Sequence, residues 1–195
     1  MNPNPNLTMT RRGALAFLAA AAGVACLSTR PGFSLAAGTA LDTLLSLIGE
    51  RLAVMPDVAR HKYNSGAAVE DLPREAQVIE AVTAQAVADG LDKDVAAKFF
   101  QAQIDASKMI QSERITTWKA EGHAPFTDVP DLKTVIRPKL DALTPAMLAA
   151  LKDALPELRL GGAGARLEAY AAGRSVEDQA AFRRAIAPLV VVAAS

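Results

Sequence analysis

The sequence predicts an all-α protein, a helical bundle of about six helices. Apolar residues recur at three- and four-residue steps along most of the chain, and no segment alternates apolar with polar residues as a half-buried strand would. Proline, glycine and an Asn-Ser-Gly break divide the periodic stretches into helical lengths. At 195 residues the chain is long enough for one domain with a true core.

The first 36 residues read differently. Arg11-Arg12 precedes an apolar run from Gly13 to Leu27, and small residues follow at Ser34-Leu35-Ala36-Ala37. A positive start, a short apolar stretch and a small-residue cut site describe a cleavable export signal over residues 1–36. The apolar run is about 15 residues, short of the ~20 that span a bilayer. Cleavage after Ala36 is the first expectation and after Ala40 the second. Thr10-Arg11-Arg12 is a partial twin-arginine motif, so the general and twin-arginine routes both stay open. Cys26 follows Gly23-Val24-Ala25, a poor lipid-attachment motif, and reads as an ordinary residue of the apolar run.

Residues 37–195 then form a single helical domain, located in the periplasm or secreted, with no membrane contact once the signal is removed. Cys26 is the only cysteine, so this domain holds no disulfide, no thiol nucleophile and no cysteine metal site. Loss of residues 1–36 removes Arg11, Arg12 and Arg30, leaving 18 basic against 21 acidic residues. That excess of acid argues against nucleic acid as a partner. His61 and His123 read as surface residues and make no metal site; Tyr63 and Trp118 read as packing or rim residues.

Leu41, Leu44, Leu45, Ile48, Leu52, Met55 and Ala59 mark a first helix from about 40 to 64, distorted at Pro56 and ended by Asn64-Ser65-Gly66. Pro73 suits a first helical position, and a second helix runs from Arg74 to Asp89, stopped by Gly90. Asp92 caps a third to about Lys119, with Val95, Phe99, Ala102, Ala106, Met109 and Ile110 facing inward. Residues 121–132 are a loop by composition. A fourth helix covers about 133–143, interrupted or started by Pro138. Thr144 caps a fifth over 145–154. Pro156, Gly161, Gly162 and Gly164 loosen the chain. Ser175-Val176-Glu177-Asp178 resembles a capping box for a last helix ending near Ala187, and Leu189–Ala194 either packs back or frays.

Within these helices lies a set of polar residues that solvation alone does not explain. Arg51 and Lys62 are eleven residues apart, about three turns, which leaves them within ~20° of each other. Met55 and Val58 lie between them on that face, so two cations flank an apolar stripe. Ser107 and Gln111 share a face as an i, i+4 pair. Taken singly, each cation would be a solvated or snorkelling side chain, and Ser107 or Gln111 a satisfied interhelical group. Glu75 alone would favour the positive end of its own helix. Together they line a pocket of cations and neutral hydrogen-bonders without a nucleophile, which suits a small polyanion.

The run GERLAVMPDVARHKYNSGAAVEDLPREAQVIE, the Gly90-Leu91-Asp92 turn, FFQAQIDASKMIQ and RPKLDAL resemble the AroQ-type chorismate mutases, in particular their exported branch. The ordered series Arg51, Lys62, Asp71, Arg74-Glu75, Ser107 and Gln111 carries the resemblance, which covers roughly residues 40 to 155. Residues 156–195 are a C-terminal helical extension outside it. The resemblance implies conversion of chorismate to prephenate by an intramolecular [3,3] rearrangement without cofactor, metal or covalent step. It implies that Arg51 binds a substrate carboxylate, Arg74 completes the cationic wall and Arg137 grips the other carboxylate. Lys62 would be the charged donor to the ether oxygen and Gln111 the neutral one. Ser107 would meet a carboxylate, and Glu75, with Asp71 as second candidate, the substrate hydroxyl. Val78 stands where some exported relatives place a polar residue for that hydroxyl. A homodimer with a complete site in each chain is also implied. Two alternatives stay open: a non-catalytic exported helical module that binds a small anion or a partner protein, and a degenerate mutase that keeps the fold without turnover.

Overall fold

A computed structural model describes residues 39–195; the export segment expected over residues 1–36, with Cys26, lies outside them. The described residues form seven α-helices and one π-helical turn. In order these are α1 (Ala40–Ala53), α2 (Met55–Ser65), α3 (Leu72–Ala88), α4 (Lys93–Ala120), the π-turn (Leu132–Ile136), α5 (Arg137–Leu158), α6 (Ala163–Ala172) and α7 (Val176–Ala193). Since α1 and α2 are one rod broken at a single residue, the bundle has six rods.

Helix ends follow local chemistry. Thr39 and Asp42 form a reciprocal capping box at α1. Asp71, Asp92 and Ser175 cap α3, α4 and α7 through their side chains, and Gly66 closes α2 in the left-handed region at φ 67°. Pro56 does more than distort a continuous helix. Its ring has no N–H to offer and clashes with the carbonyl four residues back, so the ladder stops at Val54 and α2 starts with Pro56 in its first turn.

Packing centres on α4, which lies against α7, α3 and α2, while α1 runs along α5 and α6 packs on α7. Leu41, Leu44, Ile48 and Leu52 meet Phe99 and Phe100 of α4, Met147, Leu148 and Leu151 of α5, Leu167 of α6 and Ile186 of α7 in one apolar core. On α4, Phe99, Ala102, Ala106 and Ile110 point inward as expected, and Val95 is half-buried. Met109 is 40% exposed, and the buried positions of its stretch include the polar Gln103, Ser107 and Gln111.

Three further expectations are corrected. The fourth and fifth helices are a single α5, and Thr144 is not an N-cap: its hydroxyl donates to the Leu140 carbonyl at 3.0 Å. Pro145 sits inside α5 because the face carrying Leu143, Met147, Leu148 and Leu151 is buried against α1, and that burial outweighs one lost hydrogen bond. The Gly161–Gly164 region turns tightly, with Gly162 at φ 93°, and starts the unforeseen α6. Helix α7 passes Pro188 and ends at Ala193, holding Leu189 in the core. Tyr63, Trp118 and Phe126 pack edge-on, His123 stacks on Phe126, and Asn64 pairs with the Phe126 backbone, fixing the loop that leads to the π-turn.

Gly49 of α1 lies close to Tyr170 of α6. A Cβ there would lie 2.7 Å from the Tyr170 hydroxyl, which donates to the Leu45 carbonyl while Arg174 stacks on the ring at 4.0 Å. Gly49→Ala gains about 0.5–1 kcal/mol of helix propensity but meets overpacking of about 1–3 kcal/mol. The expected outcome is a net loss of about 1 kcal/mol by denaturant unfolding, recovered in part by adding Tyr170→Phe; an Ala variant as stable as the parent would contradict the crowding.

Candidate active site

One cavity between α2, α3, α4 and α5 is lined by all nine residues singled out above: Arg51, Lys62, Asp71, Arg74, Glu75, Val78, Ser107, Gln111 and Arg137. Each wall is a helical stripe. The last turn of α1 supplies Arg51, and α2 supplies Met55, Val58 and Lys62, so the break at Val54 leaves both cations on the cavity face. The start of α3 supplies Arg74, Glu75 and Val78, placed by the Asp71 cap, whose Oδ1 accepts from Arg74 N at 3.2 Å. Ile104, Ser107, Lys108 and Gln111 line it from α4, and Arg137, Leu140, Asp141 and Thr144 from α5.

Arg51 is the most buried cation of the wall. It is 7% exposed, and its Nε is buried without a hydrogen-bond partner. Burial lowers its pKa to about 10; the charge of Asp141 opposes that shift and the charge of Arg74 adds to it. Burial also pushes the Lys62 ammonium below its ordinary value, against the pull of Asp71 and Glu75. Lys62 Nζ donates to the Val69 carbonyl at 2.6 Å. Arg74 is paired with Asp141 at 2.7 Å near the mouth. Arg137 makes no side-chain hydrogen bond or ion pair among the described residues.

The neutral donors are equally fixed. Ser107 Oγ donates to the Gln103 carbonyl at 2.7 Å, and Gln103 Nε2 donates to the Ala185 carbonyl of α7 at 2.8 Å. Gln111 is 5% exposed; its Nε2 donates to the Ser107 carbonyl at 3.0 Å and reaches Met55 Sδ at 3.5 Å, while its Oε1 is buried without a partner. Orphaned polar atoms on two buried side chains of one cavity are what a polar ligand would satisfy.

Sequence reading missed Lys108, Asp141 and Thr144. The signal for them was available: 104, 107, 108, 111 and 137, 140, 141, 144 each follow the i, i+3, i+4, i+7 spacing of a single helix face. With them the wall holds five cations (Arg51, Lys62, Arg74, Lys108, Arg137) against three carboxylates (Asp71, Glu75, Asp141). Such a wall can bind a small dianion and aim donors at it. Ser107 has no histidine base beside it, so nucleophilic attack is not its chemistry.

Residues 42–112 match the family described as chorismate mutase type II. A secreted chorismate mutase of Mycolicibacterium smegmatis is 34% identical over 118 residues, 60% of this chain and 65% of that protein. One from Mycobacterium tuberculosis is 30% identical over 122 residues, 62% of this chain and 61% of that protein. The chain thus spans a little under two thirds of these relatives' length. Among solved structures, the chorismate mutase of Burkholderia thailandensis superposes with a TM-score of 0.72 at 34% identity, covering 78% of this chain and 99% of that one. That of Burkholderia phymatum gives 0.72 at 31%, covering 77% and 95%.

A buried guanidinium without an anion in bonding contact weakens the empty fold. Arg51→Met is therefore expected to raise the stability of the ligand-free protein by about 1 kcal/mol while abolishing dicarboxylate binding. Thermal unfolding and calorimetry together check this; a variant that is both less stable and still binding would contradict it.

Proposed function

We propose that this chain, which belongs to the chorismate mutase type II family, converts chorismate to prephenate in the cavity between α2, α3, α4 and α5. The observation that carries the reading is the gathering of Arg51, Lys62, Arg74 and Arg137 around Ser107 and Gln111 in one enclosure. The reaction moves no proton and needs no covalent intermediate. As the C–O bond lengthens, negative charge builds on the ether oxygen, and the enzyme's work is to hold a compact dianion and stabilise that charge.

Arg51 and Arg137 bind the two carboxylates, for which a planar guanidinium fork is well shaped, and Arg74 completes the cationic wall. Ser107 hydrogen-bonds a carboxylate. Lys62 and Gln111 donate to the ether oxygen, Lys62 by exchanging the Val69 carbonyl for substrate and Gln111 by turning its amide from Met55. Glu75, helped by Asp71, accepts from the substrate hydroxyl; Val78, on the same face of α3, adds an apolar contact. One chain supplies every residue of this wall, which supports a complete site in each subunit of a homodimer. Relatives named as secreted support export of this chain too, to the periplasm or beyond, after removal of residues 1–36.

Incubation of residues 37–195 with chorismate, followed by loss of its ultraviolet absorbance, tests the activity; no turnover under any condition would refute it. Lys62→Ala is expected to lower kcat by at least ~10³-fold, since one donor to developing charge is worth about 3 kcal/mol. An amide donates at any pH, so the rate is expected to be flat from about pH 5 to 8, whereas Gln111→Glu donates only when protonated and works mainly at the acidic end of that range. A parent profile that collapses above about pH 6 would contradict the role given to Gln111.

A further inference from the structure

Lys108 belongs to the cavity wall but has no task in the scheme above. Its Nζ donates to Glu75 Oε2 at 2.9 Å, and the other Glu75 oxygen accepts from the Asp71 backbone N–H at 3.3 Å. Both oxygens of the carboxylate that would meet the substrate hydroxyl are thereby held, one from α4 and one from the cap of its own helix. The pair bridges α3 and α4 at the side of the cavity, partly shielded from water. Glu70, on the connection between α2 and α3, lies 3.7 Å from the same ammonium and is well exposed.

Resting on the mutase reading, we propose that Lys108 is a positioning residue for the reaction: it aims Glu75 at the substrate and supplies the charge that admits a dianion beside resident carboxylates. The charge balance supports the second half of this statement. With Lys108 the wall is two positive charges in excess, which matches a dicarboxylate; without it the excess is one. Glu75 and Asp71 would otherwise repel the ligand they help to orient, because like charges in a partly enclosed site are poorly screened. The Glu75 hydrogen bond raises the Lys108 pKa, with Glu70 and Asp105 adding to it, so the ammonium keeps its proton through the working range.

A double-mutant cycle separates this role from a purely structural tether. Chorismate turnover by the unaltered chain is measured first; its absence removes the mutase reading and this inference together. Given turnover, Lys108→Met is expected to lower kcat/KM about tenfold, more through KM than kcat, with Tm unchanged, and Lys108→Arg to restore most of it. In a Glu75→Gln background the same Lys108→Met change is expected to cost less than about twofold, while in a Glu70→Gln background the full loss persists. The proposal is overturned if Lys108→Met matches the parent, if its full loss survives in the Glu75→Gln background, or if the loss disappears only with Glu70→Gln. If Lys108→Met proves unstable, Lys108→Gln takes its place in the cycle.

Discussion

Helix α4 must be buried on both sides, and the rest of the molecule is arranged around that constraint. One flank carries Phe99, Phe100 and Ala106 into the apolar core; the other carries Ser107, Lys108 and Gln111 to the cavity. A helix with two occupied faces cannot turn about its axis to relieve strain on either one. Gln103 reinforces this, being fully buried and bonded to the Ala185 carbonyl, so α7 fixes the rotation of α4 from behind. Ser107 in turn donates to the Gln103 carbonyl, which links the C-terminal helix to the cavity wall through two consecutive hydrogen bonds. The C-terminal extension has no residue on the cavity and still takes part in holding it.

Electrostatics and packing pull against each other at Arg51. The apolar stripe that seats α1 against α5 brings its last turn inside, and the guanidinium goes with it. The charge of Asp141 offsets part of the desolvation of that group, although Asp141 itself is paired to Arg74. The empty cavity is thus left short of negative charge, which is the condition for binding an anion tightly. The helical bundle provides rigidity, and on the proposed function the charge imbalance would favour a dianion.

Much of this was legible in the sequence because helical periodicity and charge placement are local. Arg51 and Lys62 could be put on one face by counting residues, and the Ser107/Gln111 pair likewise. The roles assigned within the cavity came instead from the resemblance, not from spacing. Failures arose where tertiary burial overrode a local signal. Pro145 read as the start of a helix and Ala187 as the end of one, yet buried faces carry α5 and α7 through them. Gly161–Gly164 read as a loosened stretch, yet it is a compact turn into α6, whose Leu167 and Ala171 fill the core. The spacing of Lys108 from Ser107 and Gln111 could have placed it on the cavity face, but its pairing with a carboxylate thirty-three residues upstream on another helix is not a local signal.

The bond from Lys62 to the Val69 carbonyl has a kinetic side. An ammonium already held by a peptide oxygen has shed part of its hydration, so an incoming ligand exchanges one oxygen for another and need not strip a fully wetted cation. The oxygen given up in that exchange belongs to the short connection from Gly66 to Asp71 and not to a helix. On the proposed function, filling the enclosure would thus cost a single contact to a peptide unit, with no helix-to-helix contact broken.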